Sequence, residues 1–456
     1  MSEVIDTRRE EIINGGLWKT IILLSIPLFI NNFINAAYNF IDTLFVANIG
    51  GGEVAAITFV GPLNTLVIAI GDGLAIGGTF LIARKVGNVK YKEAKEISLQ
   101  LIGISIILGI IVSIMGFLFS ENILRLLKCT KNLMPVAHTY FKLTILSSPF
   151  LFINTSYIGI KRAEGDTLTA MYVNFGAVLL KILLTYIFIF KLNFGIKSLA
   201  YSTIIASVCI SVFATYDMFY KISNMKLSFK NFKFNSKVLY ALFIIAIPVI
   251  LEKSSISYGF LMVNQYVIAY GEKVLAAYGI TNKINSLAFS SVTGFGTALV
   301  TIISQNLGAN QIDRAKEAVK KTMIISISVS IVVIVCILIF KVQIATLFAK
   351  EDTIILSYTI NAMTVYSSSV VAWAIFQVVI GVFQGSGYTK YSLYISLTRL
   401  YIFRLPIVIV FSNYTNLGEY SIWYAMLFSN ILTAIFSLIF YFKTNWAKTN
   451  LKIAGE

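Results

Sequence analysis

What most constrains this chain is a succession of twelve apolar stretches, at roughly 17–46, 54–83, 97–119, 135–160, 168–190, 198–220, 238–270, 274–306, 322–348, 354–383, 391–411 and 419–442. A helix needs about 20 mainly apolar residues to cross the hydrocarbon core of a bilayer. Inside lipid every backbone N–H and C=O must be satisfied within the spanning structure, so runs of this length read as helices. Barrel strands would alternate apolar and polar residues, and these runs do not. The composition agrees, with 57% hydrophobic and 13% charged residues and a mean hydropathy of +0.81. An all-α polytopic membrane protein is expected.

The net charge of +16 could mark a nucleic-acid binder, so its distribution decides what it means. With twelve spans and both termini on the cytoplasmic side, more than half of the 37 Lys and Arg fall in segments predicted to be cytoplasmic, which is the positive-inside bias. The loop KISNMKLSFKNFKFNSK, 221–237, carries five Lys and suits anionic lipid headgroups. Membrane lipid is therefore the expected neighbour and nucleic acid is not a partner. The cell's cytoplasmic (inner) membrane is the expected location. The first apolar run is too long for a signal-peptide core and should remain as a mature helix. Cys129, Cys209 and Cys336 lie far apart with no metal spacing, and the single His138 falls near an external helix start, so neither a metal site nor a cofactor is expected. No Gly-rich phosphate loop is present to support ATP-driven chemistry by this chain.

Sliding the chain against itself by 221 residues superposes two long stretches. Ile26-Pro27 falls on Ile247-Pro248, Gly50 on Gly271, Gly73 on Gly294, Gly87 on Gly308, and Ala94-Lys95-Glu96 on Ala315-Lys316-Glu317. At an offset of 222, Gly165-Asp166-Thr167 meets Gly387-Tyr388-Thr389. The expected division is an N-terminal lobe 1–221, a Lys-rich linker 222–237 and a C-terminal lobe 238–456. Each has six spans, so the repeat is parallel and a cavity lies between the lobes. Pro27 and Pro248 sit inside their spans, as static bends or as hinges.

The segments YNFIDTLFVANIGG, IARKVGNVKYKEAKE with its counterpart ISQNLGANQIDRAKE, and the loops RAEGDT and FQGSGYTK resemble, in order, spacing and duplication, the multidrug and toxic compound extrusion family. The resemblance covers nearly the whole chain. It implies two six-helix bundles around a cavity, and export of cationic or amphipathic organic compounds driven by inward proton or sodium flow. A monomer acting on a small-molecule substrate is expected, and not an enzyme, since one histidine and no clustered catalytic set leave little to build one from. The alternatives are a lipid-linked precursor flippase of the same superfamily and an exporter of an anionic or zwitterionic metabolite.

Asp42 looks like the acidic residue with which one prokaryotic branch binds the coupling ion. Physical reasoning reaches the same residue, because a carboxylate inside a span costs kilocalories. Asn31, Asn35, Asn39 and Asp42 follow at steps of four, four and three along one helix face, as a cavity wall or a helix–helix seam. The fifth span, NFGAVLLKILLTYIFIF, departs from the family pattern: Lys181 and Thr185 stand where that branch resembles Asn and Asp, while Thr203 keeps a family-like threonine. An oxygen-rich site suits a small cation, and an ammonium does not belong in one. The coupling ion is therefore expected to be the proton, with sodium disfavoured. In the second half, Glu252 and Lys253 lie in the seventh span and Arg399 and Arg404 in the eleventh. Glu252 is expected to pair with Arg404 or Lys253 or to line the cavity, and Asp72 to make a helix-packing hydrogen bond.

Overall fold

The structure is a computed structural model that describes residues 3–221, 225–230, 232–349 and 352–448, so residues 222–224 and 231 of the expected linker lie outside it. After a short helix α1 (Glu3–Ile13), the first bundle runs through α2 (Leu17–Ala47), α3 (Gly51–Gly87), α4 (Tyr91–Leu126), α5 (Met134–Thr144), α6 (Ser148–Ala163), α7 (Thr167–Tyr186) and α8 (Lys197–Phe219). The second runs through α9 (Ser236–Ile268), α10 (Glu272–Gly308), α11 (Ile312–Ile339), the short α12 (Lys341–Ala349), α13 (Thr353–Tyr366), α14 (Val370–Gly385), α15 (Thr389–Leu397), α16 (Leu405–Tyr414) and α17 (Tyr420–Lys443). Twelve stretches among the described residues are long and apolar enough to cross a membrane. The chain is a multi-pass membrane protein.

Local chemistry sets the breaks. Gly165 and Gly387, partners in the repeat, hold φ of +80° and +82°, a left-handed conformation that glycine adopts without penalty. Asp166 then caps α7 by accepting from the Thr169 N–H at 3.1 Å. The fourth and tenth spans are not single helices as expected: a 3₁₀ turn at Ile145–Ser147 and its repeat partner at Ser367–Ser369 divide them. The ninth span lies at Ile312–Ile339 and not at 322–348. Its first turns carry charge and project beyond the apolar band, where hydropathy gives no signal, and its end is set by the break before α12.

The bundles meet where glycine removes the side chain between two backbones. A Cβ on Gly87 would stand 2.1 Å from the Gln305 carbonyl oxygen, and one on Gly308 2.1 Å from that of Arg84. Gln305 is the repeat counterpart of Arg84, so this is one contact made twice. The next level repeats the device: a Cβ on Gly73 would meet Ile250 Cγ1 at 2.4 Å, and one on Gly294 the backbone nitrogen of Phe29 at 2.9 Å. Phe29 and Ile250 are again counterparts and lie two residues beyond Pro27 and Pro248, which sit inside continuous helices. Farther from Gly87 and Gly308, at Gly61 and Gly279, there is open space beside α3 and α10. The tightest of the interbundle contacts, at Gly87 and Gly308, close that end of the two bundles.

Helix α1 lies across that closed end. Ile5 is buried in the core of the first bundle and Ile12 in that of the second. Arg9 Nε donates to the Gly87 carbonyl at 3.0 Å, and Arg8 pairs with Asp166 at 2.7 Å. From the other bundle, Arg314 donates to the Ile12 carbonyl at 3.1 Å and to that of Gly15.

Overpacking a tight contact costs about 1–3 kcal/mol. Gly87→Ala and Gly308→Ala should each lower the thermal stability of the purified protein by that order, whereas Gly61→Ala, with open space for its methyl, should leave it unchanged or raise it. Melting curves of the three variants check this, and equal melting temperatures would refute the glycine contact.

Candidate functional site

The first bundle encloses a cavity of about 340 Å³ whose wall includes Asn35 and Tyr38 from α2, Asn64 from α3, Tyr140 and Thr144 from α5, Asn154 from α6, Asn174 and Lys181 from α7, and Thr203 from α8. Polar groups reach it because each helix turns an amide or hydroxyl inward from a lipid-facing apolar surface. Asn174 Nδ2 donates to Asn35 Oδ1 at 3.1 Å, joining α7 to α2 across the wall. Asn154 Nδ2 donates to the Ser207 carbonyl at 3.0 Å and its Oδ1 accepts from Ser211 at 2.9 Å, tying α6 to α8.

Lys181 projects into this cavity with Nζ over the Tyr38 ring, 4.5 Å from its centroid. Asp42 is close enough for its charge to act on Tyr38, Tyr140 and Lys181. It makes no direct ion pair with Lys181, and its buried Oδ1 has no hydrogen-bond partner. Placing a Lys at mid-bilayer costs about 2.5–3.5 kcal/mol, and a cation–π contact returns about 0.5–2 kcal/mol. The Tyr38 face alone does not offset that cost, and the nearby Asp42 carboxylate adds an attraction.

The other residues singled out from the first half divide. Thr203 lines the cavity, its hydroxyl donating to the Leu199 carbonyl at 2.7 Å. Thr185 does not: it is fully buried and donates to Ser202 Oγ at 2.8 Å, in the contact of α7 with α8. Asn35 is on the wall, whereas Asn31 is buried away from the cavity with an unpartnered Oδ1. The side chain of Asn39 lies outside those described. Asn64, Asn154, Asn174 and Tyr140 were missed. A polar residue inside a span was their signal, but many spans carry one and only the helix rotations show which face inward.

In the second half the expected pairings are corrected. Glu252 pairs with neither Arg404 nor Lys253. It is buried, accepts from Ser396 Oγ at 3.2 Å, and leaves Oε2 without a partner. Arg404 turns to α17, donating from Nε to Ser429 Oγ at 3.0 Å and from Nη2 to Asn430 Oδ1 at 2.7 Å. Lys253 pairs instead with Asp72, at 2.5 Å, across the α3–α9 contact. Asp72 thus makes an ion pair between bundles. Because α3 and α9 belong to different bundles, nothing in the repeat could signal it.

A twelve-helix membrane protein of two repeated bundles, meeting at glycines and enclosing polar cavities with intramembrane charge, has the architecture of a transporter. The MatE family model matches residues 27–187 and again 248–410, and the chain belongs to this multidrug and toxic compound extrusion family. A probable multidrug resistance protein of Bacillus subtilis (strain 168), YoeA, is 24% identical over 449 residues, covering 96% of each chain. Among solved structures, an outward-facing conformation of a multidrug resistance MATE family transporter of the MOP superfamily matches with a TM-score of 0.91 at 25% identity, over 94% of this chain and 96% of that one. A MOP superfamily transporter from Pyrococcus furiosus, described as having a binding pocket of reverse polarity, matches with a TM-score of 0.90 at 25% identity and the same coverage.

The Asp72–Lys253 pair is about one-third exposed at both side chains, so water weakens it. A double-mutant cycle with Asp72→Asn and Lys253→Met should show a coupling of about 1 kcal/mol in unfolding free energy. Additive effects of the two changes would contradict a direct pair.

Proposed function

We propose that this chain is a secondary active exporter of small organic compounds, cationic or amphipathic in character, that works by alternating access of its two lobes, 1–221 and 238–456, and is not an enzyme. It acts as a monomer in the cytoplasmic membrane with both termini inside. The end closed by Gly87, Gly308 and α1 also carries Arg84, Lys85, Lys90, Arg314 and Lys316. Under the positive-inside bias it is the cytoplasmic end, and the conformation is outward-facing. The likeness to relatives named for multidrug resistance supports export.

Supporting proton coupling, Asp42 and Lys181 lie within electrostatic reach of each other and make no direct ion pair. Lys181 lines the cavity and lies within the field of the Asp42 carboxylate without bonding to it, and the unpartnered carboxylate oxygen can take a proton or pair with a cationic substrate. A sodium ion entering there would face an ammonium where the related branch places neutral and acidic oxygen donors, and Coulomb repulsion in a medium of low permittivity disfavours it. The cycle follows: protonation of Asp42 from outside weakens its hold on a substrate cation, and release of that proton inside restores the carboxylate for the next cation. Thr203 and Asn35 supply neutral polar wall, while Pro27 and Pro248 allow α2 and α9 to bend beside the interbundle contacts.

Efflux of a cationic dye from proteoliposomes under separately imposed proton and sodium gradients tests this. The parent should respond to the proton gradient alone, Asp42→Asn should lose at least ten-fold in driven transport, and Lys181→Asn should gain a response to sodium. Sodium-driven transport in the parent that disappears in Asp42→Asn would overturn the reading.

A further inference from the structure

Among the described residues, the second bundle buries three charged side chains within its spans: Glu252 at 6% exposure, Arg399 at 2% and Arg404 at 1%. Lys253 is neutralised by Asp72. The fields of Glu252 and Arg404 both reach Arg399, which leaves the group with one positive charge in excess. Arg404 has only neutral partners, Ser429 and Asn430. An uncompensated guanidinium at bilayer depth costs kilocalories unless something else supplies the negative charge.

The polar atoms left over around these arginines are mostly donors, with the Glu252 Oε2 acceptor among them. Arg399 Nε and Nη2, Arg404 Nη1, the Tyr278 hydroxyl and Trp423 Nε1 are all buried without a hydrogen-bond partner. They belong to one neighbourhood. Trp423 lies on the helix that holds Arg404, two turns before Asn430, and stacks on Tyr278 with ring centroids 6.1 Å apart. Arg404 is close enough for its charge to act on both Tyr278 and Tyr366. Arg399 lies over the Trp373 ring, 4.8 Å from its centroid, and Trp373 stacks on Phe289 at 4.8 Å. Tyr278, Tyr366 and Phe289 in turn wall a cavity of about 420 Å³. In the first bundle the corresponding leftover atoms include the acceptors Asp42 Oδ1 and Asn31 Oδ1.

We infer that the second bundle contains an anion site: the cavity beside Tyr278 and Tyr366 takes an organic anion, its aromatic body against the ring walls and its carboxylate toward the unpartnered donors of Arg399, Arg404, Tyr278 and Trp423. Charge-assisted hydrogen bonds from guanidinium to carboxylate are about twice as strong as neutral ones and would cancel the excess charge. A π-helical turn, Thr398–Arg404, carries both arginines; such turns often mark functional sites because the extra residue re-aims side chains. The site does not depend on Asp42 or on which compound is exported. A halide ion shares the relevant chemistry with a carboxylate, so the test distinguishes the two.

Calorimetric titration of the purified protein in chloride-free buffer uses benzoate, its neutral analogue benzamide, and chloride. Benzoate should bind saturably at one site and benzamide at least ten-fold more weakly. Arg404→Gln should weaken benzoate at least ten-fold and Asp42→Asn not at all. Tyr278→Phe keeps the ring stack and removes one donor; it should weaken benzoate several-fold with an unchanged melting temperature, and it decides the matter if Arg404→Gln does not fold. Chloride that competes with benzoate makes this a general monovalent-anion site, and chloride that does not makes it selective for carboxylates; either supports the proposal. Equal affinity for benzoate and benzamide, or undiminished benzoate binding in Tyr278→Phe together with a folded Arg404→Gln, would overturn it.

Discussion

Everything in this molecule hangs on how closely α3 and α10 can approach each other's backbones. In lipid, helices gain no hydrophobic driving force by meeting, so association relies on van der Waals contact, and that contact is closest where side chains are absent. Gly87 on Gln305 and Gly308 on Arg84 are the same contact related by the internal repeat, as are Gly73 on Ile250 and Gly294 on Phe29. Polar contacts cross the same interface, where Gln305 Nε2 donates to the Ala163 carbonyl at 2.8 Å and Thr301 to that of Arg162 at 3.0 Å. Helix α1, fastened to Gly87 and Asp166 on one side and to Arg314 on the other, adds a polar clasp at that end.

Much of this was legible in the sequence for a physical reason. Lipid imposes length and apolarity on each span, and duplication repeats glycines and prolines wherever the backbone needs them, so the twelve spans and the repeat can be read directly. The ends of helices that leave the membrane could not be: the charged start of α11 gives no hydropathy signal, and the 3₁₀ turns at Ile145–Ser147 and Ser367–Ser369 replace one hydrogen-bonding pattern with another without altering the composition. Among candidate site residues, Asp42 and Lys181 stood out because charge in a span is costly. Thr185 was placed in the cavity by its position in a motif, while its rotation on α7 turns it to Ser202. Partners were the least legible of all, since Lys253 found Asp72, 181 residues away in the other bundle, and no local pattern encodes that meeting.

The two bundles share a scaffold and differ in chemistry. In the first bundle the unpartnered polar atoms include a carboxylate oxygen of Asp42, with a lysine parked on a tyrosine face nearby; in the second they include guanidinium, indole and phenol donors beside a carboxylate oxygen of Glu252. Symmetry is in the scaffold, and the departures from it are in the buried charges.

The central claim is that the glycine-lined end is a moving interface governed by the charge on Asp42. Spin labels at Lys92→Cys and Asp313→Cys, repeat counterparts exposed at the closed end, placed in a chain with Cys129, Cys209 and Cys336 replaced, report its width by pulsed electron resonance in lipid bilayers. A short distance matching the closed arrangement together with a longer one, in proportions that shift with pH in the parent and no longer shift in Asp42→Asn, is the result this account predicts. A single distance, unchanged by pH and by the substitution, would contradict it.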